Sequence, residues 1–290
     1  MTIGTDPEIL LRSNNGRPIS AVGKVGGDKG EPFSLEEFSK KNGLPKCPHY
    51  AEGFGVLEDN VMVELNTPSF SSFSKNPESS LYYFLDGMDY VKQTLNRWAL
   101  KNNLSLSYES DVVFSDKQLQ SKQAKQFGCA SDLNVYMGGI KPPINPEELG
   151  NRRFLGGHVH FGFPDDRKEE AVVLCDIILG ILNPVYDPGS SRHQYYGQAG
   201  TYRNTSYGIE YRVPTNWWMS GSRNTHRFFN TCCTVERILH DGSALNRLLQ
   251  TAPIMDVAAI INNNEVKEAK NILAYLRKNS VIVDHGGILG

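Results

Sequence analysis

Four pairs of polar residues, each spaced two apart inside an apolar β-segment, constrain this chain more than any other feature. The pairs are Asp6 with Glu8, Glu64 with Asn66, His158 with His160, and Glu210 with Arg212. Side chains two apart in a strand point to the same face, so each pair presents two groups to one side of a sheet. Burying such groups costs free energy unless they are solvated, paired or bound to a metal. A single pair fits a structural hydrogen-bonding pair as well as a site, whereas four pairs together favour a shared polar cavity.

The composition of these pairs indicates the chemistry of that cavity. If the pairs share a sheet face, they bring together carboxylates, one or two imidazoles and a guanidinium. Such an oxygen-rich ligand set suits Mg²⁺ or Mn²⁺ better than a structural zinc ion. Arg212, two residues from Glu210, could hold a phosphate oxygen through its planar guanidinium. Divalent metals combined with phosphate-binding cations are typical of phosphoryl transfer.

Two other segments could bind an anion. In residues 23–30, Lys24 and Lys29 stand among glycines whose backbone N–H groups could approach a phosphate. The spacing is not that of a P-loop, so a flexible surface loop is the alternative. Residues 192–203 combine Arg192 and Arg203 with tyrosines and glycines, which could hold a nucleotide or form a structured surface loop.

The chain favours one α+β domain over residues 1–290, because it contains neither a repeat nor a linker. We predict a hairpin of residues 53–57 and 61–66 that turns through residues 58–60, and a first helix that begins after Asn76. Further strands are predicted at 104–114, 155–163 and 207–213, and a helix at 166–183. Residues 116–152 are predicted to form loops around a site. The part from about 222 onwards is predicted to be helical.

The charge balance, the apolar runs and the cysteines of the sequence limit where the protein can be located and what it can bind. Lys and Arg number 30 against 32 Asp and Glu, without a long basic run, so we do not expect nucleic acid as an electrostatic partner. The most apolar run, 171–182, is too short to span a membrane. The N-terminus lacks the pattern of a signal peptide, and the five cysteines lack a CxxC, so we expect a reducing cytoplasm. Cys129 has no nearby histidine and is predicted to be an inert buried thiol.

These residues and their order resemble the amidoligases of the glutamine synthetase and glutamate–cysteine ligase superfamily, and within it the phage-type carboxylate–amine ligases. The resemblance rests on six segments between about residues 4 and 217: residues 4–8, 27–32, 58–64, 156–160, 196–203 and 207–217. Each segment alone is a weak signal, but the ordered set is fairly specific. In the C-terminal helices we recognise no motif of the family.

The resemblance implies a curved antiparallel sheet, shaped as half a barrel and flanked by helices, whose concave face holds the metals and both substrates. It implies an ATP-dependent ligase that forms an amide through an acyl phosphate, with two or more Mg²⁺ or Mn²⁺ ions. The metal ligands it implies are Asp6, Glu8, Glu64, His158 and Glu210. The substrates would be a small-molecule or peptide-like carboxylate and amine, with nucleic acid only as a modified substrate and no membrane partner.

The resemblance also assigns roles. Glu64 would hold the metal on the substrate side, and His158 with Glu210 the metal that contacts the ATP phosphates. Arg212 would contact the transferred phosphoryl group, and we place Glu64, Arg203 and Arg212 in the catalytic set. The predicted substrate- or ATP-binding residues are Lys24, Lys29, Asp59, Asn134, His160 and Arg192.

Two points of the pattern stay open. The first acidic pair is Asp-Pro-Glu, where glutamine synthetases use two glutamates, and Pro7 removes a ladder donor and indicates an edge or bulged strand. A third acidic metal ligand could be Glu52 or Glu58. Two other functions remain as alternatives: a metal-dependent hydrolase built around His158 and His160, and a nucleotide-binding relative without catalytic activity.

Overall fold

The computed structural model describes residues 1–125, 132–163, 167–251, 254–279 and 281. The strands are β1 (Thr2–Thr5), β2 (Glu8–Ser13), β3 (Pro18–Ile19), β4 (Phe33–Ser34), β5 (Gly55–Asp59), β6 (Met62–Asn66), β7 (Leu104–Ser107), β8 (Asp111–Val113), β9 (Leu133–Asn134), β10 (Gly139–Ile140), β11 (Arg152–Phe154), β12 (Val159–Gly162), β13 (Thr201–Thr205) and β14 (Gly208–Tyr211). The α-helices are α1 (Leu35–Asn42), α2 (Leu81–Lys101), α3 (Lys122–Lys125), α4 (Pro146–Leu149), α5 (Lys168–Ile178), α6 (Asn183–Tyr186), α7 (Ser222–His240), α8 (Gly242–Thr251), α9 (Ile254–Asn262) and α10 (Val266–Lys278).

Internal contacts divide the chain into two compact units. The first unit contains the described residues within Met1–Ile3, Ser131–Pro143 and His158–Gly290, and the second those within Gly4–Ala130 and Ile144–Gly157. The expectation of one catalytic domain over residues 1–290 stays a prediction. Among the described residues, no helix has both the length and the apolar character needed to cross a membrane.

The sheet of the first unit has the order β12-β14-β13-β9-β10, with β1 at the β12 edge. Alternate residues of β12 and β14, among them Phe161 and Ile209, are fully buried. From the same side of β14, the Tyr211 hydroxyl donates to Asp176 Oδ1 of α5 at 2.6 Å. Because side chains alternate along a strand, this packing leaves the residues between them on the other face of the sheet.

The C-terminal helices provide the core on the apolar side of that sheet. Helix α5 contacts β14, α7 and α9, and the Trp218 ring stacks on Phe228 of α7 with centroids 5.0 Å apart. Aromatic stacking of this kind adds to the stability gained from apolar burial. Helix α7 begins at Ser222, so the predicted start of the helical C-terminal part is confirmed.

The second unit contains a sheet of order β3-β2-β6-β5-β4, in which β7 also pairs with β2. Its pairs are antiparallel. Helix α2 buries Leu85, Met88, Val91, Leu95 and Trp98, the apolar stripe expected from helical spacing. The predicted fold class is confirmed: the chain is mixed α+β, with a curled antiparallel half-barrel sheet flanked by helices.

Several predicted boundaries are wrong for identifiable reasons. The helix expected after Asn76 is only a 3₁₀ turn, Pro77–Ser79, and α2 begins at Leu81 because the Ser80 side chain caps the Tyr83 N–H. Helix α1 was not predicted, although Ser34 and Glu37 form a capping box at its start. The capping pattern in the sequence could have located it.

Other predicted strands and helices are shorter than expected. Residues 104–114 form two strands, β7 and β8, which pair with β2 and β11 respectively. Strand β12 covers only the end of the predicted 155–163 segment, and α5 ends at Ile178. Residue 166, the predicted start of that helix, and Cys129 lie outside the described residues. Residues 116–152, predicted to be loops, include β9, β10 and β11.

Candidate active site

One face of the sheet in the first unit presents a row of ionisable side chains. In the strand register, His160 lies opposite Glu210 and Glu210 lies opposite Arg203. The row continues past Arg203 to Asp132 and then to Lys141. Arg203 Nε donates to Asp132 Oδ1 at 2.9 Å, and the backbone N–H of Lys141 donates to the backbone carbonyl of Asp132 at 2.8 Å. Directly opposite residues of antiparallel strands point to the same side. These five residues are called the charged row.

A second row lies beside the charged row, two residues further along each strand. Its members are His158, Arg212, Thr201 and Asn134. The Arg212 N–H donates to the Thr201 carbonyl at 3.1 Å, and Thr201 lies opposite Asn134. The sequence-predicted pairs His158/His160 and Glu210/Arg212 therefore do share one sheet face, as their spacing predicts.

Asp132 is the central anion of this face. Its Oδ1 lies 2.9 Å from Arg203 Nε and 3.1 Å from Arg212 Nε. Arg212 Nη1 donates to Glu210 Oε1 as well. Arg212 thus connects the two buried carboxylates of the face, and such charge-assisted contacts fix the direction of its guanidinium.

Lys141 is buried at the end of the charged row, with 6% of its surface exposed. Its ammonium donates to the Tyr195 carbonyl. Burial lowers the pKa of Lys141 to about 8; the Asp132 carboxylate opposes this shift, and the positive charges of Arg192 and Arg212 add to it.

Arg192 is fully buried behind the second row and holds it in place. Its Nη1 donates to the carbonyls of Arg212 and Val213 at 2.9 and 3.1 Å, and its Nη2 lies 3.1 Å from His158 Nε2. Arg212 Nη1 lies 3.4 Å from the other ring nitrogen, Nδ1, so a guanidinium group, which can only donate, lies beside each nitrogen of the His158 ring. The Nδ1 nitrogen also lies 3.4 Å from Glu210 Oε1. The predicted ATP-binding role of Arg192 stays a prediction, since these contacts are structural.

Two other predicted binding residues also contact the chain itself. The Asn134 amide donates to the Ala199 carbonyl at 2.7 Å and accepts from the Tyr136 N–H at 2.9 Å, so it holds the turn after β9. His160 Nδ1 lies 2.6 Å from the hydroxyl of Tyr207. The substrate- or ATP-binding roles of Asn134 and His160 stay predictions.

The second unit contains a different group, called the carboxylate cluster: Glu8, Asp59 and Glu64. Glu8 of β2 lies opposite Glu64 of β6, and one carboxylate oxygen from each of the three residues lies within 4.8 Å of the others. Burial raises the pKa of Glu64 well above its usual range, and the negative charges of Asp6 and Asp59 raise it further.

Lys29 provides a cationic contact to the carboxylate cluster. Its Nζ lies 2.8 Å from Asp59 Oδ2 and 3.9 Å from Glu64 Oε2, and the lysine side chain is 62% exposed. Clustered carboxylate oxygens are the donors that hard divalent cations prefer, and a divalent cation would relieve the repulsion that raises the pKa of Glu64. The donor set therefore fits Mg²⁺ or Mn²⁺.

The third carboxylate of the cluster is Asp59, and its substrate- or ATP-binding role stays a prediction. Glu58, one of the two residues considered for a third ligand, instead accepts from the backbone N–H groups of Gly23, Val25 and Gly26 at 2.9, 2.9 and 2.7 Å. Glu52, the other one, lies 3.2 Å from His49 at the surface.

The glycine loop of residues 23–30 does bind an anion with its backbone, as its composition suggested. That anion is the Glu58 carboxylate of the same chain, so these three N–H groups are already used. Lys24 is exposed on the loop, and among the described residues it forms no ion pair with the carboxylate cluster. Its predicted role stays a prediction.

Asp132, Thr201 and Lys141 were not predicted. Asp132 and Asn134 flank Leu133 in the same i, i+2 spacing that identified the four original pairs, so the signal was present. The surrounding segment is rich in glycine and proline, which indicates loops and hides a strand as short as β9. Lys141 gives no such signal, since its position depends on the hairpin of β9 and β10.

Residues 150–255 match the family model described as phage phiEco32-like COOH.NH2 ligase-type 2. The matched segment contains His158, Arg192, Arg203, Glu210 and Arg212, so the predicted resemblance to phage-type carboxylate–amine ligases is confirmed there. The carboxylate cluster lies outside the segment. No curated protein gives a match to the chain. Because the matched family is a carboxylate–amine ligase family, the match supports the prediction that the chain is an enzyme that forms carbon–nitrogen bonds.

Proposed function

We propose that this chain is an ATP-dependent carboxylate–amine ligase that forms an amide through an acyl phosphate. The observation that carries the proposal is the ligase-family match over residues 150–255, which contains Glu210 and Arg212 on the charged face of the sheet. The match supports ligase activity; the nucleotide, the metal and the intermediate belong to the proposal.

The chemistry requires activation of the carboxylate, because oxide is too poor a leaving group for an amine to displace. In the first step a carboxylate oxygen attacks the γ-phosphorus of ATP, and the bond to the bridging oxygen breaks to release ADP. In the second step the amine nitrogen attacks the acyl carbon, phosphate leaves with the electron pair of the C–O bond, and the nitrogen loses a proton. The products are an amide, ADP and phosphate.

The charged face of the first unit supplies what these steps need. Two anions meet in the first step, so cationic donors fixed in place before the reaction stabilise the transition state. Arg212 and Arg203 are such donors, since both are oriented by Asp132. Arg192 keeps the backbone of Arg212 and the ring of His158 in position.

Glu8, Asp59 and Glu64 would hold Mg²⁺ or Mn²⁺, together with the nearby charge of Asp6. When bound, such an ion neutralises phosphate charge and polarises the phosphoryl group. The resemblance also implies His158 and Glu210 as metal ligands. Glu210 offers a carboxylate oxygen, but His158 fits less well, because guanidinium nitrogens of Arg192 and Arg212 lie 3.1 Å from its Nε2 and 3.4 Å from its Nδ1 and would compete with a metal ion for the ring.

The test is a substrate screen. The purified chain is incubated with ATP, Mg²⁺ and mixtures of carboxylates and amines, and ADP and amide products are measured by mass spectrometry. We expect ADP release that requires both a carboxylate and an amine, with loss of that activity in Glu210→Gln. Glu170→Gln, an exposed change in the matched segment, is the matched control. Full amine-dependent activity in Glu210→Gln would refute the assignment.

The alternative of a hydrolase built on the two histidines is not favoured by the described residues. No candidate metal group among them contains both His158 and His160, and His160 is paired with Tyr207. A hydrolase would depend on zinc and be indifferent to ATP, whereas an inactive relative would bind ATP without releasing ADP. The screen separates these outcomes.

A further inference from the structure

Lys141 is a buried cation whose ammonium forms a single hydrogen bond among the described residues. It directly follows β10 and lies opposite Asp132 in the hairpin. An ammonium group has three N–H donors, and its hydrogen bond within the described chain is the one to the Tyr195 carbonyl. Within the described residues, two donors therefore remain for another group. A buried ammonium is costly unless its charge is balanced.

The charged side chains near Lys141 do not neutralise its positive charge. Asp132 is shared, because its carboxylate also serves Arg203 and Arg212. The other charges that act on Lys141 are the guanidinium groups of Arg192 and Arg212, which repel it. The two carboxylates of the charged row, Asp132 and Glu210, thus face three cations of the two rows. Within the part of the chain that the structure describes, Lys141 is the one of these cations without an ion pair to a carboxylate.

We propose that Lys141 binds a phosphoryl group, with Arg203 and Arg212 as neighbouring donors. The proposal rests on the proposed function, since it places a phosphate at the charged face. A compact ammonium with two spare donors can contact oxygens of a tetrahedral phosphate while the tyrosine carbonyl fixes its position. The phosphoryl group could belong to the nucleotide or to the phosphate that leaves the acyl group.

The experiment measures anion binding on the full chain by calorimetry, without turnover. The probes are ADP with Mg²⁺ and orthophosphate with Mg²⁺. The variants are Lys141→Gln, which removes the charge, and Lys141→Arg, which keeps it. Lys270→Gln, an exposed change in α10, is the control. We expect affinity for at least one probe to fall roughly tenfold in Lys141→Gln, the loss typical of a charge-assisted hydrogen bond, and to stay near the wild-type value in the other two variants.

A pH comparison tests the proposal without loss of the charged group. Lys141 is charged below its pKa of about 8, so wild-type affinity should fall as the pH rises from about 7.5 to about 9, a range that spans the lysine pKa. An arginine stays charged over this range, so Lys141→Arg should show a weaker fall. This comparison remains decisive if Lys141→Gln does not fold.

The outcomes are separable. A fall in ADP affinity assigns Lys141 to a nucleotide phosphate, and a fall for orthophosphate alone assigns it to the released phosphate. If the wild-type chain binds both probes and Lys141→Gln binds them equally well, or if Lys141→Arg shows the same pH dependence as the wild type, the role of Lys141 is wrong while the ligase proposal stands. If the wild-type chain binds neither probe, both proposals fail.

Discussion

In the first unit, each carboxylate of the charged row lies within ion-pair distance of a guanidinium, whereas in the second unit the carboxylates of the cluster lie against one another. Asp132 and Glu210 both contact Arg212. Glu8 and Glu64 face each other across two strands, and Lys29, which contacts the cluster, is mostly exposed. Ion pairs fix the direction of the guanidinium donors in the first unit. In the carboxylate cluster the negative charges repel one another, so a bound cation would stabilise it.

The comparison explains why two clusters with similar residue types suit different ligands. Fixed guanidinium groups are suited to phosphate oxygens, and clustered carboxylates to hard divalent ions. It also predicts opposite signs when a charge is removed. Removing Arg212, which pairs with both Asp132 and Glu210 in the first unit, should destabilise the chain, whereas removing a charge from the carboxylate cluster should stabilise it.

The largest effect is expected for Arg212→Gln. The change leaves Glu210 without the guanidinium that contacts it, and breaking a buried ion pair typically costs about 3–5 kcal/mol. We expect the free energy of unfolding, measured in urea, to fall by that amount. Arg223→Gln, an exposed change, should alter it by less than about 0.5 kcal/mol. A loss below about 1 kcal/mol in Arg212→Gln would show that the paired arrangement contributes little.

A smaller effect is expected for Glu58→Gln, which tests the anchor of the glycine loop. The carboxylate accepts from three backbone N–H groups, and an amide offers only one acceptor oxygen. We expect a loss of about 1–3 kcal/mol in the free energy of unfolding, with faster hydrogen exchange at Gly23, Val25 and Gly26. Glu52→Gln, at a surface ion pair, should change stability by less than about 1 kcal/mol. Unchanged exchange at the three amides would contradict the anchoring role.

The sequence predicted the faces of the strands better than the position of the turn between them. Spacing alone placed Glu210 with Arg212 and His158 with His160 on one face, because the period of a strand is fixed. The β5–β6 turn was predicted at residues 58–60 but lies at Asn60 and Val61, where Asn60 has a φ of 53° that asparagine tolerates. A one-residue shift exchanges the two faces of a strand, so this turn decides that Asp59 joins the cluster.

The unpredicted residues depend on pairing between distant segments. Asp132 meets Arg203 and Arg212 only because β9 pairs with β13, and local spacing contains no information on that pairing. The same holds for Arg192, whose aromatic and glycine-rich surroundings indicated a nucleotide loop. Its guanidinium instead contacts His158 and the backbone carbonyls of Arg212 and Val213, directly after β14.

Glu64→Gln should have the opposite sign. The raised pKa of Glu64 means that the folded chain binds more protons than the unfolded chain between the ordinary glutamate pKa and the raised one. Stability should therefore fall as the pH rises through this interval. The variant lacks this cost, so its free energy of unfolding at pH 7 should exceed that of the wild type by roughly 1 kcal/mol, with a smaller gain near pH 5.

Mg²⁺ distinguishes the metal-binding role of Glu64 from its effect on stability. Magnesium should raise the Tm of the wild-type chain, as a ligand of the native state does, and should raise that of Glu64→Gln much less. Because the variant is expected to be the more stable chain without metal, poor folding cannot explain a lost response. An equal Mg²⁺ response in both chains would remove Glu64 from the metal site.

The smallest effect is expected for Lys29→Gln, which tests how far an exposed cation offsets the carboxylate cluster. Burial lowers the Lys29 pKa, but the charges of Glu64, Asp59 and Glu8 and the hydrogen bond with Asp59 together raise it above its usual value. An exposed ion pair nevertheless contributes at most about 1 kcal/mol. We expect a loss below that value, and a larger stabilising effect of Glu64→Gln in the Lys29→Gln background, because the repulsion among the carboxylates is then less compensated. Measuring the two changes singly and together in urea isolates this coupling. Purely additive effects would mean that Lys29 is not part of the electrostatic balance of the cluster, and that the difference between the two units arises from the carboxylates alone.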